Sequence, residues 1–446
     1  MGRGCTAEES VEKYLSNLSA TAASCLTGLL IGQSSAQKDY VVLAVKTPVR
    51  ESEGGSEGRR VSSPLEDIDA EWVSEHARQV SRMLPGGVSV LGLFLITPPE
   101  LLKEAQNTLK RLIFAVDKYI SKSRLWDVCE DDVTDRITLH ICSKTRKAVC
   151  KTFDVKDPKC SAKPADWKYH SGVSSSWPLL TCSVRVDLHI PLTLSSSEKC
   201  IKDGLRRWAK QIDTGLCLIN GRSASDDCEL LSGSKKNPKL VQQPTLRAQI
   251  LVSEEDPNQR SSAVVQPSTG SVFMRGTVHC RAYIHSNKPK ARHGAQAIKR
   301  DVVNTVSNRV EMLLEDMQIN DGAGSASAQQ DLPRRVFATL PGSGLTLCDY
   351  MFPDETAADV VERLKELLDW DSTKEDIDTS VEAQVCCSTR VTDVRDEGHR
   401  SAKDVPREST AEAQKQQKVS HNYTGLAMAG LVALLAAATS LLYLNN

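Results

Sequence analysis

Cysteine and histidine are the side chains of this sequence best suited to chemistry, and the chain holds fourteen of the first and nine of the second. A thiolate beside an imidazole can act as a nucleophile, and both side chains bind zinc. The cysteines are scattered, however, and no two of them have the CxxC spacing of a zinc site. His140 and Cys142 alternate in one short segment, but no second pair follows at metal-ligand spacing. The pattern therefore favours small, buried cysteines over a metal site.

His76 is a further candidate metal ligand, and it lies in a long amphipathic segment. It recurs with Trp72 and Val80 at intervals of four residues, which predicts a histidine packed on a helix face. No local nucleophile signature surrounds any cysteine. A Cys–His hydrolase with an unrecognised site stays open as an alternative, with Cys182 or Cys280 as the thiol to test.

Other chemistry has less support in the sequence. The phosphate-binding patterns GxxxxGK and GxGxxG are missing, and so is the GxSxG of serine hydrolases. The formal net charge is −1, and Lys and Arg form no basic stripe, so we expect no nucleic-acid partner. We also expect neither a metal nor any other cofactor.

Hydrophobic periodicity predicts a mixed α/β (α+β) protein with two folded domains. The first spans residues 1–158 and contains a continuous apolar strand over 88–97, the pattern of a strand buried on both faces. Its other predicted elements are helices over 8–20, 65–84 and 100–120, strands over 25–33 and 39–49, and a hairpin over 136–143 and 148–156. Residues 159–176 are polar and rich in serine.

The second predicted domain spans residues 178–370. Its predicted elements are a strand over 180–192, a helix over 199–212, one or two strands over 271–284, a helix over 294–317, a hairpin over 335–341 and 345–353, and a helix over 355–370. Residues 371–420 are polar and poor in aromatic side chains, so we expect a disordered tether.

The end of the chain predicts a membrane anchor. Residues 424–444 carry no charge and are long enough for one helical span of a bilayer. Basic side chains precede this segment and none follows it, which places the bulk of the chain in the cytosol. The predicted span includes Thr424, Gly425, Leu431, Leu435, Leu441 and Leu444. The absence of a basic tail favours the endoplasmic reticulum over the mitochondrial outer membrane.

The first domain resembles the MPN fold of the JAB/MPN metalloproteases. The segment Gly92–Pro98 reads GLFLITP, where that group has a strand end with two zinc-binding histidines. The glycine, an aromatic residue and the proline match, but Leu95 and Thr97 occupy the two histidine positions. Catalytic zinc needs three protein ligands and a water, so the resemblance implies a degenerate domain without this hydrolysis.

Longer stretches make the chain similar to the Odorant response abnormal protein four family. They are MLPGGVSVLGLF (83–94), PADWKYHSG (164–172), SSSW (174–177), CRAYIHS-x-KPK (280–290) and LCDY-x-F (347–352). The resemblance implies a protein of the endoplasmic reticulum membrane that helps certain odorant and other G-protein-coupled receptors to traffic. It also implies partnership with the cysteine peptidase specific for the ubiquitin-fold modifier.

The sequence and this resemblance together predict a tail-anchored adaptor that is not an enzyme and that forms a heterodimer with the peptidase at the membrane. Its partners would be that peptidase, G-protein-coupled receptors and the bilayer. The candidate contact residues are Met83, Leu84, Phe94, Trp167 and Tyr169, together with the outer side of the 65–84 helix. A receptor-folding chaperone that acts through its span is the third hypothesis.

Overall fold

The fold was analysed in a computed structural model of the chain. It describes residues 2–21, 25–50, 64–66, 68–129, 132–192, 197–223, 225–231, 243–252, 268, 270–320, 329–382 and 385–391. Residues 1–394 form one compact unit. The predicted span 424–444 and the predicted tether beyond 391 lie outside the described residues. Within the described part of the chain, no helix is long and apolar enough to cross a bilayer.

The first seven strands close into a barrel, because the last of them pairs in parallel with the first. Around the barrel their order is β1-β3-β2-β4-β5-β6-β7. The strands are β1 (Arg3–Glu8), β2 (Leu26–Ser34), β3 (Lys38–Lys46), β4 (Ser89–Thr97), β5 (Asp135–Cys142), β6 (Ala148–Asp154) and β7 (Lys163–His170). β4 is buried along nearly its whole length between β2 and β5, which confirms the prediction from its apolar run.

Three helices cover this sheet: α1 (Glu9–Thr21), α2 (Ala70–Arg82) and α3 (Leu102–Lys122). The predicted apolar face of α1 is confirmed, since Val11 and Leu15 are buried against one side of the barrel strands. α2 begins five residues later than predicted, because the Asp69 carboxylate caps it by accepting hydrogen bonds from the backbone of Glu71 and Trp72.

A second sheet of six strands has the order β12-β16-β11-β8-β10-β9, and α4 (Ser197–Thr214) and α5 (Ala291–Asn320) pack on it. Its strands are β8 (Leu179–Leu192), β9 (Leu216–Ile219), β10 (Thr245–Leu251), β11 (Gly270–Tyr283), β12 (Gln329–Leu332) and β16 (Val385–Val391). The segment predicted to hold one or two strands is the single strand β11, which pairs antiparallel with β8 along its whole length.

A third sheet contains β13 (Arg334–Thr339), β14 (Thr346–Met351) and β15 (Ile377–Asp378), with α6 (Ala357–Leu368) beside it. Its apolar side chains belong to the same core as the first barrel: Val336, Leu347 and Leu364 share one cluster with Leu29 and Leu93. The end of the predicted second domain therefore packs on the first.

Of the stretches that differ from the sequence prediction, two lie outside the two predicted domains. β7 lies between the predicted domains, in a stretch where the prediction placed no strand, and it closes the barrel. The prediction of a disordered tether is wrong for residues 371–391, which contain β15 and β16. Their local composition is polar, but strand pairing with β13 and β11 supplies hydrogen bonds that composition does not reveal.

Candidate functional site

The strand end whose sequence was compared with a metalloprotease site holds a hydroxyl and an imidazole in contact. Leu95 and Thr97 are completely buried at the end of β4. The Thr97 hydroxyl lies 2.9 Å from Nε2 of His140 on the neighbouring strand β5. Burial lowers the pKa of His140, which favours the neutral ring. Among the described residues, no group of three His, Cys, Asp or Glu side chains is arranged to hold a metal ion.

The thiols named for the alternative hydrolase lie in the core. Cys182 on β8 and Cys280 on β11 stand opposite each other in the sheet and are buried under α5. Burial raises the pKa of Cys182 to about 11 and that of Cys280 well above its ordinary value. His279 follows the alternation of the strand to the opposite face, where it contacts Ser183. Neither thiol has the activated, accessible setting that nucleophilic catalysis needs.

Three of the predicted contact residues are core residues. Met83 is 2% exposed, Leu84 is 5% exposed and Phe94 is fully buried. The prediction that they contact a partner is wrong for this conformation, because each is already surrounded by the chain itself. The apolar run that suggested a binding segment is explained by its position between two layers.

The outer side of α2 is also covered. Arg78 and Arg82 on α2 form ion pairs with Glu311 and Glu315 on α5. On another side of the helix, Nε2 of His76 lies 2.9 Å from the carbonyl oxygen of Leu367 in α6. Neighbouring helices thus occupy the surface that the sequence suggested for a partner.

Trp167 and Tyr169 remain candidates, because both are half-buried on β7. Their rings meet edge to face, with centroids 5.9 Å apart, and both pack beside the α1 cluster. The residues between and beside them, Asp166, Lys168 and His170, are exposed on the other face of the strand. β7 therefore presents polar side chains to solvent and aromatic side chains to the barrel.

Four of the five stretches quoted for the family resemblance meet at the junction between the barrel and the second sheet. Gly86 of MLPGGV forms a parallel bridge with Ala282 of CRAYIHS. The Gly86 N–H donates to the Arg281 carbonyl, and the Tyr283 N–H donates to the Gly86 carbonyl, each at 2.9 Å. A side chain on Gly86 would come within 2.3 Å of the Ala297 carbonyl oxygen, so this close approach of two backbones requires glycine.

Gln33 of β2 connects the segments of this junction through hydrogen bonds of its side-chain amide. Its NH₂ donates to the carbonyl oxygens of Gly87 and Tyr283, both at 2.7 Å, and its oxygen accepts from the N–H of His285 at 2.5 Å. One side chain from the barrel thereby satisfies three backbone groups of two other segments. Nothing in the isolated sequence marks Gln33, since its three partners lie 54, 250 and 252 residues away.

Aromatic packing completes the junction. Tyr40 of β3 stacks on the ring of His285, with centroids 5.3 Å apart, and meets the fully buried Trp177 of SSSW edge to face at 6.1 Å. The LCDY stretch joins through the Cys348 N–H, which donates to the Met83 carbonyl. The preceding residue, Thr346, donates its backbone N–H to the Tyr283 hydroxyl. This arrangement can fix two layers together, and it holds no accessible nucleophile beside a base.

We expect replacement of Gly87 by alanine to destabilise the junction. Gly87 has a φ of +79°, and an added Cβ would lie 2.2 Å from the Tyr283 carbonyl oxygen. Left-handed strain and overpacking together cost about 2–5 kcal/mol of the free energy of unfolding. Urea denaturation measures the change. Gly342→Ala is the matched control, since Gly342 has a φ of +70° with nothing within 4 Å of its Cβ position, and an equal loss in both variants would contradict the packing argument.

Comparison with known proteins decides the family. The family model described as Odorant response abnormal 4-like matches residues 28–379. The chain belongs to the Odorant response abnormal 4-like family. It is 45% identical to a mouse protein named Protein odr-4 homolog over the full length of both chains. It is 22% identical to Odorant response abnormal protein 4 of Caenorhabditis elegans, over 78% of this chain and 73% of that one.

A solved structure also resembles the fold at a distance. The crystal structure of UfSP from C. elegans matches with a TM-score of 0.42 and 10% identity, over 83% of this chain and 57% of that chain. The family match itself runs from β2 to β15, so it contains most of the barrel, most of the second sheet and the whole junction between them. Membership of the Odorant response abnormal 4-like family, predicted from the short stretches, is confirmed.

Proposed function

We propose that this protein is a non-enzymatic, tail-anchored adaptor of the endoplasmic reticulum membrane. It recruits the cysteine peptidase specific for the ubiquitin-fold modifier and supports the trafficking of a subset of G-protein-coupled receptors. The observation that carries this proposal is the full-length similarity to the odr-4 homologues, one of which is named for an abnormal odorant response. The peptidase partnership rests on the family resemblance seen in the sequence.

The barrel supports the non-enzymatic part of the proposal. We regard β1–β7 with α1–α3 as a degenerate MPN-like domain, in which Thr97 and His140 bond to each other at the position of the metal site. One imidazole and one hydroxyl do not supply the three protein ligands that a catalytic zinc needs beside its water. A fold of this kind that lacks the metal ligands is suited to binding another protein.

The mechanism we propose is co-localisation. Anchoring a soluble peptidase to a membrane raises its effective concentration near membrane-bound substrates, without a new catalytic contact. The uncharged segment 424–444, preceded by Arg407, Lys415 and Lys418, supports a cytosolic orientation of the folded unit. Trp167 and Tyr169 are the contact candidates that the fold leaves partly exposed.

The test compares the full chain with a variant that lacks residues 424–444, expressed with the peptidase in cells. We expect the peptidase to co-precipitate with both, and its membrane-bound fraction to fall at least about tenfold with the deletion. Loss of co-precipitation from the full chain would sink the adaptor proposal. Turnover of a modifier conjugate by the protein alone would favour the hydrolase.

A matched control replaces residues 424–444 with an unrelated uncharged span of the same length. If the span is only an anchor, this variant restores both peptidase recruitment and receptor delivery to the cell surface. If recruitment returns but receptor delivery does not, the span itself assists the receptors, as the chaperone hypothesis requires.

A further inference from the structure

Two cysteines of the barrel lie in contact although their strands are not neighbours. Sγ of Cys5 on β1 is 3.9 Å from Sγ of Cys150 on β6, and β7 lies between these strands in the sheet. Both side chains belong to the buried cluster that packs around α1, at 1% and 6% exposure. Formation of a disulfide would require the sulfur atoms to approach from this contact distance to about 2 Å, with an adjustment of the strands on either side of the seam.

The strand pairing explains why the two thiols meet. β6 and β7 pair at only two positions, Lys151 with Pro164 and Thr152 with Lys163, and proline offers no N–H to a ladder. β1, by contrast, pairs with β7 at six positions, with Cys5 opposite Trp167. The barrel is therefore closed by a short seam, and the Cys5–Cys150 contact bridges it.

We propose that Cys5 and Cys150 are an oxidisable pair that forms a disulfide across this seam when the protein meets a peroxide. Cys150 is the more exposed of the two. Its sulfur attacks one peroxide oxygen, the O–O bond breaks, and the departing hydroxide takes the Cys150 proton, which leaves a sulfenic acid and one water. The Cys5 sulfur then attacks Sγ of Cys150, the S–O bond breaks, and the departing hydroxide takes the Cys5 proton as a second water. In balance, two thiols and one hydrogen peroxide give one disulfide and two waters.

The surroundings of Cys5 set the conditions for this step. Its hydrogen bond with Cys150 and its burial raise the pKa of the Cys5 thiol, so Cys5 stays protonated in the reduced protein. The nearby Asp39 carboxylate, 3.9 Å from the Cys5 sulfur, is already paired with Arg3 at 2.5 Å. Oxidation of the Cys5–Cys150 pair is therefore slow under reducing conditions and requires sustained exposure to the oxidant.

The expected consequence is a more stable barrel. The disulfide closes a loop of 145 residues, and long loops give large reductions in the entropy of the unfolded chain. We expect the melting temperature of the full chain to rise by about 5 °C after mild oxidation and to return after treatment with a phosphine reductant. The proposal is independent of the adaptor role, since it concerns the folded unit alone.

The experiment treats the full-length protein with hydrogen peroxide and identifies cross-linked peptides by mass spectrometry after digestion without reductant. A Cys5–Cys150 peptide that disappears with reductant supports the proposal. Exposed Cys129 and Cys228 provide an internal measure of oxidant dose. Free thiols at both Cys5 and Cys150, at a dose that oxidises these two, would overturn it.

Variants separate the pair from other buried thiols. Cys5→Ser and Cys150→Ser should each abolish the oxidative rise in melting temperature, whereas Cys182→Ser should keep it. If a serine variant does not fold, the peptide analysis of the unaltered chain still decides the question. A cross-link found only between Cys182 and Cys280, or sulfinic acid at Cys150 without any cross-link, contradicts the proposal.

Discussion

Replacement of Arg335 by leucine is expected to lower the free energy of unfolding by about 3–5 kcal/mol. Arg335 is fully buried and places its guanidinium against Asp301 of α5, with contacts of 2.7 and 2.9 Å. Asp301 also accepts a hydrogen bond from the backbone of Arg281 at 2.9 Å. Without Arg335, this buried carboxylate keeps its desolvation cost and loses its main counter-charge. Chemical denaturation of the purified folded unit measures the loss.

The expected loss reflects a network and not one contact. Glu382 accepts hydrogen bonds from the buried Arg309 guanidinium, from the backbone N–H of Arg335 and from that of His279. These bonds hold β11, β13 and α5 to the segment that leads into β16. Removing one member leaves the others buried with unsatisfied polar groups.

Two further variants make the prediction specific. Arg275→Leu breaks an ion pair with Asp187 whose partners are 68% and 53% exposed, and it should cost less than about 1 kcal/mol. The double variant Arg335→Leu with Asp301→Leu removes both charges and should recover a large part of the loss. If Arg335→Leu costs no more than Arg275→Leu, the buried network does not stabilise the fold as argued.

Helix α5 shows which features of the fold can be predicted from the sequence and which cannot. Its predicted apolar face, with Val302, Val306 and Val310, is buried in the second core as expected. The next stripe of the same helix holds Asp301 and Arg309, which are just as buried. A polar stripe predicts a solvated face, and only the partners on β13 and before β16, distant in sequence, reverse that interpretation.

Strand β7 shows a second feature of the fold that the sequence did not predict. Its residues alternate, with Ala165, Trp167 and Tyr169 packed beside the α1 cluster, so a period of two was present in the sequence. The lysines, the proline and the serine-rich flank obscured it, because β-propensity depends on neighbours. Its parallel pairing with β1 joins residues more than 160 positions apart, which local pattern does not reveal.

The candidate site was likewise predicted from the sequence only in part. The short stretches shared with the family could be found in the sequence, but Met83, Leu84 and Phe94 among them are buried in this conformation and offer no surface to a partner. These three residues lie in a stretch that leads into the junction, where Gly86 and Gln33 satisfy backbone groups of the second sheet. Burial and convergence are tertiary properties, so a motif alone did not distinguish a binding surface from a packed one.

The second large effect is expected with acid. Burial lowers the pKa of His76 and of His285 to about 4, and both side chains are less than 10% exposed. In the unfolded chain each histidine titrates near its ordinary pKa of about 6.5, so the unfolded state binds protons first as the pH falls. Stability from each group is complete above pH 6.5 and decreases between 6.5 and 4. The loss at pH 4 is about 3 kcal/mol for each histidine.

Their environments explain why neither ring accepts the charge. His285 stacks on Tyr40, and its buried Nδ1 has no hydrogen-bond partner among the described residues. The nearby His293 lowers the pKa of His285 further. The ring of His76 is held between α2 and α6, where Nε2 contacts the Leu367 carbonyl and the buried Nδ1 meets no hydrogen-bond partner in the described part of the chain. Protonation would leave an unpaired positive charge inside each packing interface.

Denaturation curves at pH 7, 6, 5 and 4 test this expectation. Carboxylates also titrate in this range, so the comparison is between the unaltered protein and variants that cannot bind the proton. His285→Phe keeps the stack on Tyr40, and His76→Gln keeps a donor for Leu367. Each variant should flatten the decline between pH 6.5 and 4 by about 3 kcal/mol. Parallel declines in all three proteins would show that the two rings are protonated without cost, and that the interfaces they occupy open before pH 4.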